Sequence, residues 1–191
     1  MVKKKIVVIV GPSGSGKTNL IQRTFKPEQV LRSITTRPMR PGEVDGDNYL
    51  FITNDAYEAH KANDDMIQTV TYDNNQYGVT KSEALSKLKQ FDTVVVAVVI
   101  ESVQDYVDFG QLNDIDVISV FTYISKDMLL KHFENRTESQ EQKEHRIAKY
   151  DDEIKNAKFF DSNHILNMDA DDFGASASNQ LLTLIDSIDK L

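Results

Sequence analysis

Short apolar runs alternate with polar, helix-patterned stretches along almost the whole of this chain. Ile6 to Val10 is an unbroken β-branched run of the kind that fills a buried strand. Thr18 to Phe25 predicts a helix, stopped before Pro27 because a residue preceding proline disfavours the helical conformation. Gln29 to Ile34 reads as a short strand, and Tyr49 to Ile52 alternates like another. Asp55 to Ala62 predicts a helix and Met66 to Tyr72 a strand. Thr80-Lys81-Ser82-Glu83 has the spelling of a capping box and should open a helix running to Lys89. Thr93 to Ile100 is valine-rich and continuous, which favours a central parallel strand over a helix. Val103, Tyr106 and Val107 fall on one helical face, and Val117 to Tyr123 forms the next strand. Ser125 is placed to cap a helix from Lys126 to Phe133. Ser139 to Lys158 predicts a long helix with Ile147, Tyr150 and Ile154 on its apolar stripe. His164 to Leu166 is a last short strand. Leu181, Leu182, Leu184, Ile185 and Ile188 mark a C-terminal amphipathic helix, while Asp169 to Asn179 has a loop-like, small-residue composition.

Strands that alternate with helices imply an α/β fold of three layers, a central parallel sheet with helices on both faces. The middle region, residues 33–82, has shorter and more polar strands and reads as an inserted α+β lobe. A chain of 191 residues suits one domain with insertions, and 40% hydrophobic with 27% charged residues suits a water-soluble core-forming protein.

The candidate chemistry begins directly behind the first strand. Gly11-Pro12-Ser13-Gly14-Ser15-Gly16-Lys17-Thr18 fits the phosphate-binding pattern G-x-x-x-x-G-K-[ST] at every fixed position. Glycines let successive backbone N–H groups turn inward toward the oxygens of a nucleoside triphosphate. Lys17 offers a point charge to the β and γ phosphates, and the Thr18 hydroxyl is a candidate ligand for Mg²⁺. The helix that follows presents its positive end to the same oxygens.

A second stretch runs Arg32-Ser33-Ile34-Thr35-Thr36-Arg37-Pro38-Met39-Arg40-Pro41-Gly42-Glu43-Val44-Asp45-Gly46-Asp47-Asn48-Tyr49. Arg37 and Arg40 sit in a Pro/Gly-rich turn, where two guanidinium forks suit bidentate capture of another phosphate. This segment resembles the S-x-T-T-R-x-x-R-P-G-E-x-x-G-x-x-Y signature of guanylate kinases. The order of phosphate loop, arginine loop and Asn75-Gln76-Tyr77-Gly78 is similar to that family too. Leu130 to Arg146 resembles its lid, with Arg136 and Arg146 at the two basic positions, and Ile165-Leu166-Asn167 resembles an element near its C-terminal end.

The resemblance implies a P-loop kinase with a nucleoside-monophosphate-binding lobe at 33–82 and a helical lid region at 126–150. It implies transfer of phosphate from ATP to a monophosphate, GMP or dGMP first. ATP would lie on Gly11 to Thr18. Ser33, Arg37, Arg40, Tyr49 and Tyr77 would hold the acceptor, and Arg136 and Arg146 would close with Lys17 on the transferring group. No general base is needed, because the attacking phosphate oxygen is already ionised.

The sequence departs from the family at the positions that read the base. Gln68 stands where the family has Glu, nine residues before Tyr77. Val79 stands for Ser or Thr. Ala97 and Val99 replace two Asp residues, which removes the expected carboxylate support for the metal, with Glu101 nearby as a possible substitute. A glutamine presents one acceptor and one NH₂ donor, so uracil, thymine and adenine nucleotides remain open beside guanine.

Charge and composition narrow the partners. A formal net charge of −8 offers no basic stripe for nucleic acid, so phosphates must be met by local cation clusters. Zero Cys excludes a disulfide framework, and His60, His132, His145 and His164 have no metal-ligand spacing. The basic start Lys3-Lys4-Lys5 precedes too short an apolar run for a secretory signal, and no segment approaches membrane-spanning length. A cytoplasmic enzyme, monomer or homodimer, is expected. Two other classes compete: a phosphopeptide-binding scaffold with this fold, which would tolerate a degraded phosphate loop, and a GTPase, which needs an Asn-Lys-x-Asp element that is missing here.

Overall fold

The computed structural model describes residues 3–47, 49–134, 140–169 and 174–188, without the side chains of 134, 140–142, 145 and 146. In chain order the elements are β1 (Lys5–Val10), α1 (Lys17–Thr24), β2 (Ser33–Thr35), β3 (Tyr49–Phe51), α2 (Asn54–Ala62), β4 (Met66–Tyr72) and β5 (Asn75–Thr80). They continue with α3 (Lys81–Leu88), β6 (Thr93–Ala97), α4 (Val103–Asn113), β7 (Asp116–Tyr123), α5 (Lys126–Glu134), α6 (Gln140–Ile154), β8 (Ile165–Asn167) and α7 (Ala175–Ile188). One four-stranded sheet has the order β6-β1-β7-β8 and a second the order β3-β2-β5-β4. The fold is α/β, with a parallel central sheet accompanied by helices.

The chain divides into two compact units, Met1–Ile6 with Pro27–Val96 and Gln104–Val117, and Val7–Lys26 with Ala97–Val103 and Ile118–Leu191. In the second unit the apolar run of β1 is fully buried, and β7 pairs in parallel with β8, Phe121 opposite Ile165 and Tyr123 opposite Asn167. Here α7 packs on α1, where the Thr24 hydroxyl donates to Ser178 Oγ at 2.9 Å. Ala177 and Ser178 are buried at that contact. The small residues that read as a loop on composition therefore serve close helix packing, and α7 begins at Ala175, inside the stretch expected to be irregular.

The first unit holds the mixed sheet. β2 runs parallel to β3 and antiparallel to β5, which forms a hairpin with β4. Asp73 and Asn74 both take positive φ at the hairpin turn, as a two-residue connection requires. β5 is too polar for hydrophobic alternation to reveal, and only its partners define it. Gly78 is needed there because a Cβ would meet the Gln68 carbonyl oxygen at 2.6 Å. Thr80 caps α3 as the sequence predicts, accepting from the Glu83 N–H at 3.1 Å. The Glu83 carboxylate instead takes the Arg32 Nε at 3.2 Å and pairs with Lys87 at 3.4 Å.

Three predicted boundaries shift. The strand expected over Gln29 to Ile34 breaks up into a short 3-10 turn at Pro27–Gln29, an isolated bridge from Val30 to Val95, and β2. The cause is visible at Leu31, whose N–H donates to Val95 before the chain joins the other sheet. β6 stops at Ala97, and Ile100–Ser102 forms a 3-10 turn where the apolar run promised strand. The long helix ends at Ile154 and tightens into 3-10 geometry over Lys155–Phe159.

Candidate functional site

Directly paired strand residues project to the same side of a sheet, and alternate residues share a side. The pairs Ser33–Tyr49, Thr35–Phe51, Thr35–Tyr77, Val70–Tyr77 and Gln68–Val79 therefore place all of these side chains on one face of the mixed sheet. Four residues singled out from sequence, Ser33, Tyr49, Gln68 and Tyr77, come together this way from three separate stretches. α2 serves the strand behind them, with the buried Tyr57 hydroxyl donating to the Tyr77 carbonyl at 2.9 Å. Burial pushes the Tyr57 phenol up to about 12, so it remains a donor.

The two threonines of the arginine loop explain how that loop is held. Thr35 Oγ1 donates to the Gln76 carbonyl at 2.9 Å and accepts from the Arg37 N–H at 3.1 Å. Thr36 Oγ1 accepts from the Gln76 N–H at 3.0 Å, and Asp45 accepts from the Phe51 N–H at 2.8 Å. Arg37 is thereby fixed over the aromatic face, its guanidinium carbon 5.7 Å from the Tyr49 ring centre and 5.3 Å from that of Phe51. Tyr49 and Tyr77 meet edge to face at 5.9 Å.

Arg37 does not wait unpaired. Glu43 closes on both arms of its fork, with Nη1 to Oε2 at 3.0 Å and Nη2 to Oε1 at 2.7 Å. The same carboxylate accepts from the Arg40 backbone N–H at 2.6 Å. Glu43 was not among the residues expected to act, although a carboxylate six residues beyond Arg37 in a tight turn was the available signal. The Arg40 side chain is exposed and contributes here through its backbone.

The glycine-rich loop belongs to the other unit. Ser15 is buried, its hydroxyl 2.6 Å from Thr122 Oγ1, which in turn donates to the Val10 carbonyl at 3.1 Å. This chain ties the loop to β7 and to the end of β1. Gly16 takes φ 88° as it enters α1, a conformation that side-chain-bearing residues rarely adopt. Lys17 Nζ donates back to the Gly11 carbonyl at 2.7 Å and to that of Pro12 at 2.9 Å. The Ser13 N–H donates to Glu153 Oε2 on α6 at 3.0 Å. No sequence pattern marked Glu153. Gly14 sits against Leu129 and Phe133 of α5, with His132 Nδ1 3.4 Å from its carbonyl. His132, like His60 on Asp65 and His164 on the Ser119 carbonyl, thus has a structural partner.

Arg136 lies outside the described residues, as does the side chain of Arg146, whose backbone stands on α6. Ala97, Val99 and Glu101 are exposed at and beyond the end of β6. Among the described residues no group of three or more His, Asp or Glu could hold a metal ion.

Arg37 and the Arg40 N–H hold the Glu43 carboxyl at about 2, well below its ordinary 4.5. A depressed carboxylate contributes stability above its unfolded value and loses it as pH falls through the folded one. The urea midpoint of the wild type should therefore exceed that of Glu43→Gln near neutrality, and the difference should shrink between about pH 4.5 and about pH 2. A difference that stays constant across that window contradicts the pairing.

Comparison with known proteins agrees with this geometry. The family model for guanylate kinase matches residues 3–183. A guanylate kinase of Hydrogenovibrio crunogenus is 33% identical over 82% of this chain and 77% of its own length. One of Gloeobacter violaceus is 30% identical over the same shares. The crystal structure of guanylate kinase from Anaplasma phagocytophilum superposes with a TM-score of 0.69 at 17% identity, covering 99% of this chain and 88% of that one, and so shares the fold. Phosphate loop, arginine face and sequence relatives lead to one assignment: the chain belongs to the guanylate kinase family, a family of nucleoside monophosphate kinases.

Proposed function

We propose that the protein transfers the γ-phosphoryl group of ATP to GMP or dGMP. The observation that carries this reading is the Arg37 fork, already closed on a carboxylate within an aromatic, hydroxyl-bearing face that also bears Gln68. A carboxylate and a phosphate present the same pair of oxygens to a guanidinium. The acceptor phosphate would take the forks of Arg37 and Arg40 together with the Ser33, Tyr49 and Tyr77 hydroxyls. Burial raises the Tyr49 phenol above its ordinary 10, which keeps it a proton donor at neutral pH.

ATP would lie on Gly11, Pro12, Ser13, Gly14, Ser15, Gly16, Lys17 and Thr18. Lys17 would swing from the loop carbonyls to the β and γ phosphates, and the Ser13 N–H would exchange Glu153 for a phosphate oxygen. Phosphoryl transfer asks for alignment and positive charge more than for covalent chemistry. We assign Arg136 and Arg146 to that charge, residues 126–150 to the lid and 33–82 to the acceptor lobe.

The donor set fits Mg²⁺ carried by the nucleotide. The exposed Thr18 hydroxyl supplies one oxygen, and the described residues contain no carboxylate cage for a resident ion. When bound, the ion would neutralise charge on the phosphate oxygens. No helix among the described residues is long and apolar enough to cross a membrane. Together with the lack of Cys this supports a cytoplasmic setting. A second reading, another base, is favoured by Gln68 and Val79 alone.

Three substitutions separate the roles. Lys17→Ala should lower kcat by about a hundredfold or more, because the charge on the transferring group is lost. Arg37→Ala should raise the KM for GMP about tenfold or more while the KM for ATP stays within about twofold. Near-normal turnover in the first, or equal weakening of both substrates in the second, contradicts the assignment. Glu153→Ala should tighten binding of a non-hydrolysable ATP analogue in calorimetry, since the phosphate no longer competes with a carboxylate. Weaker binding would place Glu153 among the groups that build the loop.

A further inference from the structure

Gln68 is 8% exposed, and its Oε1 is buried with no hydrogen-bond partner. An amide oxygen shielded from water and left unbonded destabilises the fold, and a buried leucine would not carry that cost. Such an atom on the face that carries Arg37, Tyr49 and Tyr77 is an acceptor kept for a ligand N–H.

Its surroundings decide how much of a base it can read. The residues beside it on that face are Val79 across the hairpin, fully buried, and Val70 two positions along β4. Both present only methyl groups. The threonine hydroxyls are directed elsewhere: Thr71, paired with Gln76, lies on the opposite face of the hairpin, and Thr35 is held by the Gln76 carbonyl and the Arg37 N–H. Gln68 therefore supplies one acceptor and one donor, and its strand neighbours add no second acceptor.

We propose that Gln68 reads the lactam edge of a purine monophosphate, N1–H onto Oε1 and O6 onto Nε2, and that the group at C2 is not read at all. This rests on the guanylate-kinase reading above and narrows it: the substrate class becomes 6-oxopurine monophosphates, IMP together with GMP. A carboxylate at this position would offer a second acceptor to the 2-amino group. The carboxamide cannot, because its other end is a donor.

The test is kcat/KM for GMP, IMP and AMP, measured for the wild type and for Gln68→Glu. In the wild type, IMP should be used at no less than about a tenth of the efficiency of GMP, with AMP far below both. Gln68→Glu should raise the GMP-to-IMP ratio by roughly ten- to a hundredfold, as the 2-amino group gains its acceptor. A wild type that rejects IMP by more than about a hundredfold overturns the inference while leaving the guanylate-kinase reading intact. Preference for AMP, or for a pyrimidine, overturns both. The wild-type ratio needs no variant, so the proposal stays open to refutation even if a carboxylate at position 68 unfolds the hairpin. Gln68→Leu, which keeps the strand apolar, should lower GMP and IMP turnover together, and an unchanged rate for both would remove Gln68 from the base.

Discussion

A group built to hold phosphate must be satisfied by something when phosphate is absent, and this requirement shapes the arginine loop and the glycine-rich loop alike. Arg37 is nearly buried, and a guanidinium cannot give up its proton to escape the cost of burial. Glu43 meets it with both oxygens and takes the Arg40 N–H as well. In the other unit the Ser13 N–H rests on Glu153, and Lys17 rests on two carbonyls of its own loop. Arg37, the Ser13 N–H and Lys17 are each paired with an oxygen from the chain itself.

Pairing of this kind organises a site before its ligand arrives. The arginine loop is fixed by Thr35 and Thr36 against β5, and the glycine-rich loop by Ser15 and Thr122 against β7. A doubly charged phosphate competes well for a fork held by a singly charged carboxylate, so exchange favours the ligand.

Much of this was legible in advance because its cause is local. Gly11 to Thr18 carries its own backbone requirements, and the Arg37–Tyr49 segment is narrow enough to name a family. The apolar runs of β1 and β7 announced the central sheet. What the sequence hid depends on partners distant along the chain. β5 is polar because its pairing with β2 and β4, not its own side chains, makes it a strand. Glu153 gains its role from a loop 140 residues earlier. The small residues at 175–179 look like a loop until α1 is there to pack on them. Gln68 was visible as a departure from the family, but its unbonded oxygen needed the neighbouring valines to be placed.

Direct phosphoryl transfer requires ATP and the acceptor to be bound at the same time, with no phosphorylated side chain as an intermediate. Steady-state velocities with ATP and GMP varied against each other test this directly. Direct transfer in a ternary complex predicts double-reciprocal lines that intersect. Parallel lines, the sign of a covalent phosphoenzyme, would contradict it.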